Sequence, residues 1–142
     1  MADPVYRSLI DKWLLTVFAA ATAASVFAMV AVLYSGFSIS SLLAIPLLLA
    51  GAGLPWWIVL TTDYTVTGRS LEIRSGPFHW SIPLREITRI EFTRNPTSSP
   101  ALSLDRLRIQ HAAGAQIMIS PENRERFLAE LRSRGVGVAV QR

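Results

Sequence analysis

Residues 13–62 read WLLTVFAAATAASVFAMVAVLYSGFSISSLLAIPLLLAGAGLPWWIVLTT, fifty positions without one Asp, Glu, Lys, Arg or His. A helix that is apolar on every side cannot be the surface helix of a small soluble domain. The run divides at Ser35 to Ser41, SGFSISS, where small polar residues and a glycine collect, leaving segments at 13–34 and 42–62. At ~1.5 Å of rise per residue, about twenty helical residues cross a hydrocarbon layer of roughly 30 Å. The pattern predicts a transmembrane helical hairpin at 13–62, a lead-in at 1–12 that is loose or forms a helical turn at the interface, and one domain at 63–142. A signal peptide fits less well, because Asp3 and Asp11 dilute the basic start and the first apolar run is too long.

Outside the hairpin the composition is that of an ordinary small domain. Residues 63–142 carry twelve Arg against eight acids, and the whole formal charge of +4 resides there. Cysteine is absent, which excludes disulfides, thiolate nucleophiles and Cys-ligated metals.

Arg7 and Lys12 precede the first span and Arg69 and Arg74 follow the second, whereas the connecting loop has no positive charge. The positive-inside rule then predicts both termini in the cytoplasm, in an inner (cytoplasmic) membrane. Trp13, Trp56 and Trp57 would share one interface, with Tyr34 at the other. Ala20, Ala24 and Ala28 form a small-residue stripe suited to close packing against the second span or another copy of the chain. Pro46 and Pro55 predict a kinked second span, and no ionisable residue accompanies them to suggest a transport path.

After Asp63 the apolar residues alternate. Tyr64 and Val66, then Leu71 and Ile73 across a Gly68–Arg69 turn, predict a hairpin with one wet face. Trp80, Ile82 and Leu84 follow, with Pro83 placing this strand at an edge or ending it. Ile87, Ile90 and Phe92 form a fourth segment, with a bulge or helical turn at Glu86 to Arg89. NPTSSP, Asn95 to Pro100, reads as a loop, and Leu107, Ile109, Ile117 and Ile119 make a last hairpin about Gly114. The period then becomes helical: Ser120 as cap, Pro121 in the first turn, Glu122 on the dipole and an apolar stripe of Phe127, Leu128 and Leu131 predict a helix from about Pro121 to Arg134. The fold class is therefore α+β: a two-helix transmembrane hairpin, then a small antiparallel β-sheet or partly open barrel covered by one C-terminal helix.

Ser103-Leu104-Asp105-Arg106-Leu107, followed by Ile119-Ser120-Pro121 and then Phe127 and Leu131, resembles the signature of bacterial pleckstrin-homology-like domains found behind two membrane spans. The resemblance covers roughly residues 63–134. It implies a PH-like fold and no reaction.

Taken singly, Asp105 suits a turn into its strand or a pair with a nearby Arg. His79 and His111 are far apart in sequence and lack Cys or clustered carboxylate partners, so no metal or other cofactor is expected. Arg74, Arg106 and Arg108 fall on outward strand positions, and Arg69 and Arg74 are the two placed nearest the membrane in sequence, hence candidate lipid-facing residues. The leading expectation is a non-enzymatic, membrane-tethered binding or scaffold module holding a protein partner or another copy of itself. The alternative is a sensor of anionic lipid headgroups; an enzyme is a distant third. Nucleic acid is not an expected partner, because the basic residues are interspersed with acids.

Overall fold

A computed structural model describes residues 3–36, 38–94, 102–112, 114–137 and 140–141. The two uncharged runs form helices α1 (Lys12–Tyr34) and α2 (Ile39–Thr61), long and apolar enough to cross a membrane. α2 starts three residues earlier than the hydropathy pattern suggests. Serines are poor helix interiors but good starts, and here the Ser38 N–H donates to the Ser41 hydroxyl at 3.3 Å, so part of the expected loop opens the helix. The pair is held by Trp56, whose indole N–H donates to Thr22 Oγ1 at 2.8 Å while its ring meets Phe18 edge-on at 6.4 Å. Elsewhere their apolar side chains point outward, Phe27 at 77% and Leu60 at 77% exposure. An apolar surface of that extent belongs in lipid rather than water. Ala20 and Ala24 are exposed and Ala28 half-buried, whereas Phe18, Thr22, Ser25 and Met29 form the shielded side of α1.

Alternation then yields six strands, β2 (Asp63–Val66), β3 (Ser70–Ser75), β4 (Phe78–Pro83), β5 (Ile87–Thr93), β6 (Arg106–His111) and β7 (Ala115–Ile119). β4 ends at Pro83 and lies at a sheet edge, as a residue without an N–H donor requires. The change of period after it is both a 3-10 turn at Leu84–Glu86 and a register shift between Ile87 and Arg89. The expected loop at Asn95 to Pro100 lies outside the described residues.

Two further strands lie outside the alternating segments. Val5–Arg7, expected as part of a loose lead-in or helical turn, is strand β1, antiparallel to β2 with Arg7 opposite Asp63. Val140–Gln141 forms β8, parallel to β5. The sheets run β1-β2-β3-β4 and β7-β6-β5-β8 and do not close into a barrel. Helix α3 (Arg124–Ser133) seals the apolar interior with Phe127 and Leu131, both essentially without exposure. It starts later than expected. Asn123, not Ser120, is the cap, accepting the Arg126 N–H at 3.2 Å, and Pro121 bridges to Ser8 instead of opening the helix. At its other end Gly135 adopts φ +89, its N–H reaching Arg132 O and the Val136 N–H reaching Leu131 O, a helix stop that needs a residue tolerant of positive φ.

Candidate functional site

The residues of the SLDRL and ISP segments converge on the chain just before α1. Asp11 occupies the N-cap position of α1, yet its side chain makes no cap. Its carboxylate accepts from the Ser103 hydroxyl at 2.7 Å and the Leu104 N–H at 2.8 Å, with the Trp13 indole donating at 3.2 Å. Burial pushes the Asp11 carboxyl up, but the bonds from Leu104, Ser103 and Trp13 and the charge of Arg106 outweigh it, and the group is held below the usual carboxylate range. Ser103 also accepts the Asp105 N–H, and its carbonyl takes Arg106 Nε at 2.6 Å.

Beneath this lies a buried hydroxyl network. Tyr64, with no exposure, donates to Ser8 Oγ at 3.1 Å and accepts the Ser120 N–H at 3.2 Å. Ser120 Oγ accepts the Leu102 N–H at 3.1 Å and lies 3.1 Å from Ser8 Oγ, while the Leu9 N–H donates to Ser120 O at 2.6 Å. The far end of the hairpin is tied to the same region: Ser8 N–H reaches Thr62 O, Thr62 Oγ1 lies 3.0 Å from Ser75 Oγ, and the Gly76 N–H donates to Thr61 Oγ1. The start of α1 and the end of α2 are thus clasped side by side onto one end of the domain.

The opposite end carries a groove of about 570 Å³ lined by Arg69 and Ser70 from the β2–β3 turn, Leu84 and Arg85 from the 3-10 turn, and Arg134 and Gly135 after α3. Arg134 is already matched, by Glu130 at 2.7 Å and Asp3 at 3.3 Å. Arg69 and Arg85 are exposed and form no ion pair among the described residues, so the groove presents unbalanced positive charge. It can bind anions. Among the described residues no three His, Asp or Glu side chains gather as a metal site.

Of the residues marked in the sequence, Ser103, Leu104 and Ser120 meet at the clasp, and Leu107 is core. Asp105 is an ion-pair residue, 3.2 Å from Arg124 and 3.9 Å from Arg94. Arg106 is not on the solvated face that strand alternation assigns it: it opens β6 where the Asp11 loop covers it, and is buried. Arg69 and Arg74 are not brought together. Arg74 stands opposite Asp63 beside the end of α2, whereas Arg69 lies in the turn at the other end of β2, about 16 Å away at ~3.3 Å per strand residue. His79 pairs with Glu72 at 2.9 Å on the outer sheet face. Sequence reasoning missed Ser8, Asp11, Arg85 and Arg134, which carry no local motif; only Asp11, an acid two residues before an uncharged run, offered a signal.

A small β-domain capped by one helix and clasped to two apolar helices defines a membrane-anchored PH-like module. The bacterial PH domain family model matches residues 62–135, just over half of the chain, and the chain belongs to that family. No curated protein matches it.

The clasp has a pH signature. Because the folded Asp11 carboxyl sits below its ordinary value near ~3.9, its contribution is complete above that value and lost as pH falls through the folded one. The Leu104 amide shift, followed by NMR, is expected to titrate with a midpoint below that of a free carboxylate, and Asp11→Asn to abolish the titration. Partial exposure of Asp11 keeps the energy modest.

Proposed function

We propose that this protein is a non-enzymatic binding module, anchored in the inner membrane with both termini in the cytoplasm, whose arginine groove holds an acidic segment of a partner protein. The single observation behind this reading is the position of the groove: it opens at the end of the domain away from the helical hairpin, with Arg69 and Arg85 forming no ion pair among the described residues. Headgroups of the anchoring leaflet lie at the other end. Arg-lined concavities suit carboxylates because the planar guanidinium donates in pairs.

The test uses the full chain in nanodiscs of phosphatidylcholine and a fluorescent oligoglutamate peptide, read by anisotropy. The double change Arg69→Glu with Arg85→Glu is expected to weaken binding about tenfold, ~1.4 kcal/mol, and added salt to weaken it further. Arg126→Glu, on the exposed side of α3, is expected to change it little. Equal weakening by Arg126→Glu, or no binding by the parent protein, would remove the groove as the site.

A further inference from the structure

We infer that the β3–β4 turn is a membrane foot: Pro77 and Phe78 seat in the headgroup region of the leaflet from which α2 emerges, with Arg74, on the other face of the same hairpin, reaching lipid phosphate. The inference rests on α1 and α2 spanning a bilayer and is independent of what the groove binds.

Position comes first. The turn is packed on the last turn of α2, so closely that a Cβ at Gly76 would fall 2.8 Å from Ile58 Cγ1 and 3.5 Å from Ile58 Cα, at a φ of +57 that already disfavours a side chain. The Gly76 N–H donates to Thr61 Oγ1 at 3.1 Å and Ser75 Oγ lies 3.0 Å from Thr62 Oγ1, fixing the turn from both sides. Ile58 lies three residues inside the end of α2, some ~4.5 Å along its axis. The turn is therefore level with Trp56 and Trp57, at the depth where tryptophans mark the membrane interface.

Chemistry agrees with position. Phe78 is 55% exposed, and its ring lies on that of Trp80 at 5.9 Å instead of entering the core. Trp57 and Leu60 in the last turns of α2, at 52% and 77% exposure, also point outward, so apolar surface is already present near this depth. Arg74 is exposed and forms no ion pair among the described residues. An apolar ring at the tip of a hairpin whose other face carries an exposed guanidinium matches an interface with acyl carbons below and phosphates above. The occupant is lipid, because the helix that holds the turn stands in it.

The absence of native cysteine makes the test direct. Phe78→Cys, Arg69→Cys and Leu47→Cys, each labelled with an environment-sensitive fluorophore in the full chain, are reconstituted in liposomes containing anionic lipid. The label at position 78 is expected to show blue-shifted emission, loss of iodide quenching and quenching by lipids spin-labelled near the headgroup. The label at 69 should behave as in water, and that at 47 should respond to spin labels deep in the acyl chains. Adding Arg74→Glu should partly restore iodide access at 78. If 47 reports lipid and 78 matches 69, the foot is wrong while the anchor stands. Should 47 fail to report lipid, the membrane reading falls and the foot with it. Shielding at 78 that ignores lipid quenchers and vanishes on dilution with lipid would assign the surface to a second copy and overturn the proposal.

Discussion

A fragment beginning at Asp63, the boundary hydropathy suggests, is expected to be much less stable than the domain in the full chain. β1 lies on the other side of the hairpin in sequence, yet it supplies the edge strand beside β2 and places Tyr6 in the core, 7% exposed and edge-on to Phe127 at 5.3 Å. Removing a buried aromatic side chain costs about 3–5 kcal/mol, against a total of roughly 5–15 kcal/mol for a domain. The fragment also loses Ser8, Leu9 and Asp11, leaving Ser120 and Tyr64 short of buried partners. Urea unfolding of residues 63–142 should give a far lower midpoint than a version in which residues 3–10 are joined to Asp63 by a short flexible linker. Within that version Tyr6→Ala should remove most of the gain and Tyr6→Phe almost none, because the Tyr6 hydroxyl is buried with no hydrogen-bond partner among the described residues. Equal midpoints for fragment and fusion would show that β1 is dispensable.

The second large effect belongs to the hydroxyl network. Burial pushes the Tyr64 phenol up, so it remains the neutral donor to Ser8 and acceptor from Ser120. Tyr64→Phe strands the Ser120 N–H, and Ser120→Ala strands the Leu102 N–H. A buried donor left unpaired costs about 1–3 kcal/mol, and each variant should show that loss in urea unfolding of the full chain in detergent. Their effects should add incompletely in the double mutant, as expected for members of one network. A loss no greater than that of Thr88→Ala, at an exposed position, would mean that water satisfies the network.

Which features were legible follows from the range of the forces involved. The spans are written in fifty uncharged residues and the six strands in two-residue alternation, both local signals. β1 has three residues, too few to show a period, and forms because β2 offers an edge. The start of α3 was misplaced because Ser120, Pro121 and Glu122 satisfy every local rule for opening a helix, while the tertiary pull of Ser8, Leu9 and Leu102 on Ser120 is invisible locally. Arg106 was misread for the same reason, its strand being regular but its first residue covered by a distant loop. Arg69 and Arg74 are neighbours in sequence and opposites in space because an intervening strand is straight. The groove unites Arg69, Arg85 and Arg134 from three turns, and no spacing rule connects them.

The pairing of β1 with β2 also bears on how the molecule is made. Arg7 faces Asp63, so the 55 residues from 8 to 62 form the connection of an antiparallel β-hairpin. A flexible connection of that length would carry a closure entropy that grows with its logarithm. Here the connection is two helices that return the chain to its starting point, so once they are paired it behaves as a tight turn. During synthesis the first strand emerges long before its neighbour and stays unpaired until both helices have been made. On the proposed membrane anchoring, a chain whose second helix failed to re-cross would leave β1 and β2 on opposite sides of the bilayer, where the two strands could not pair.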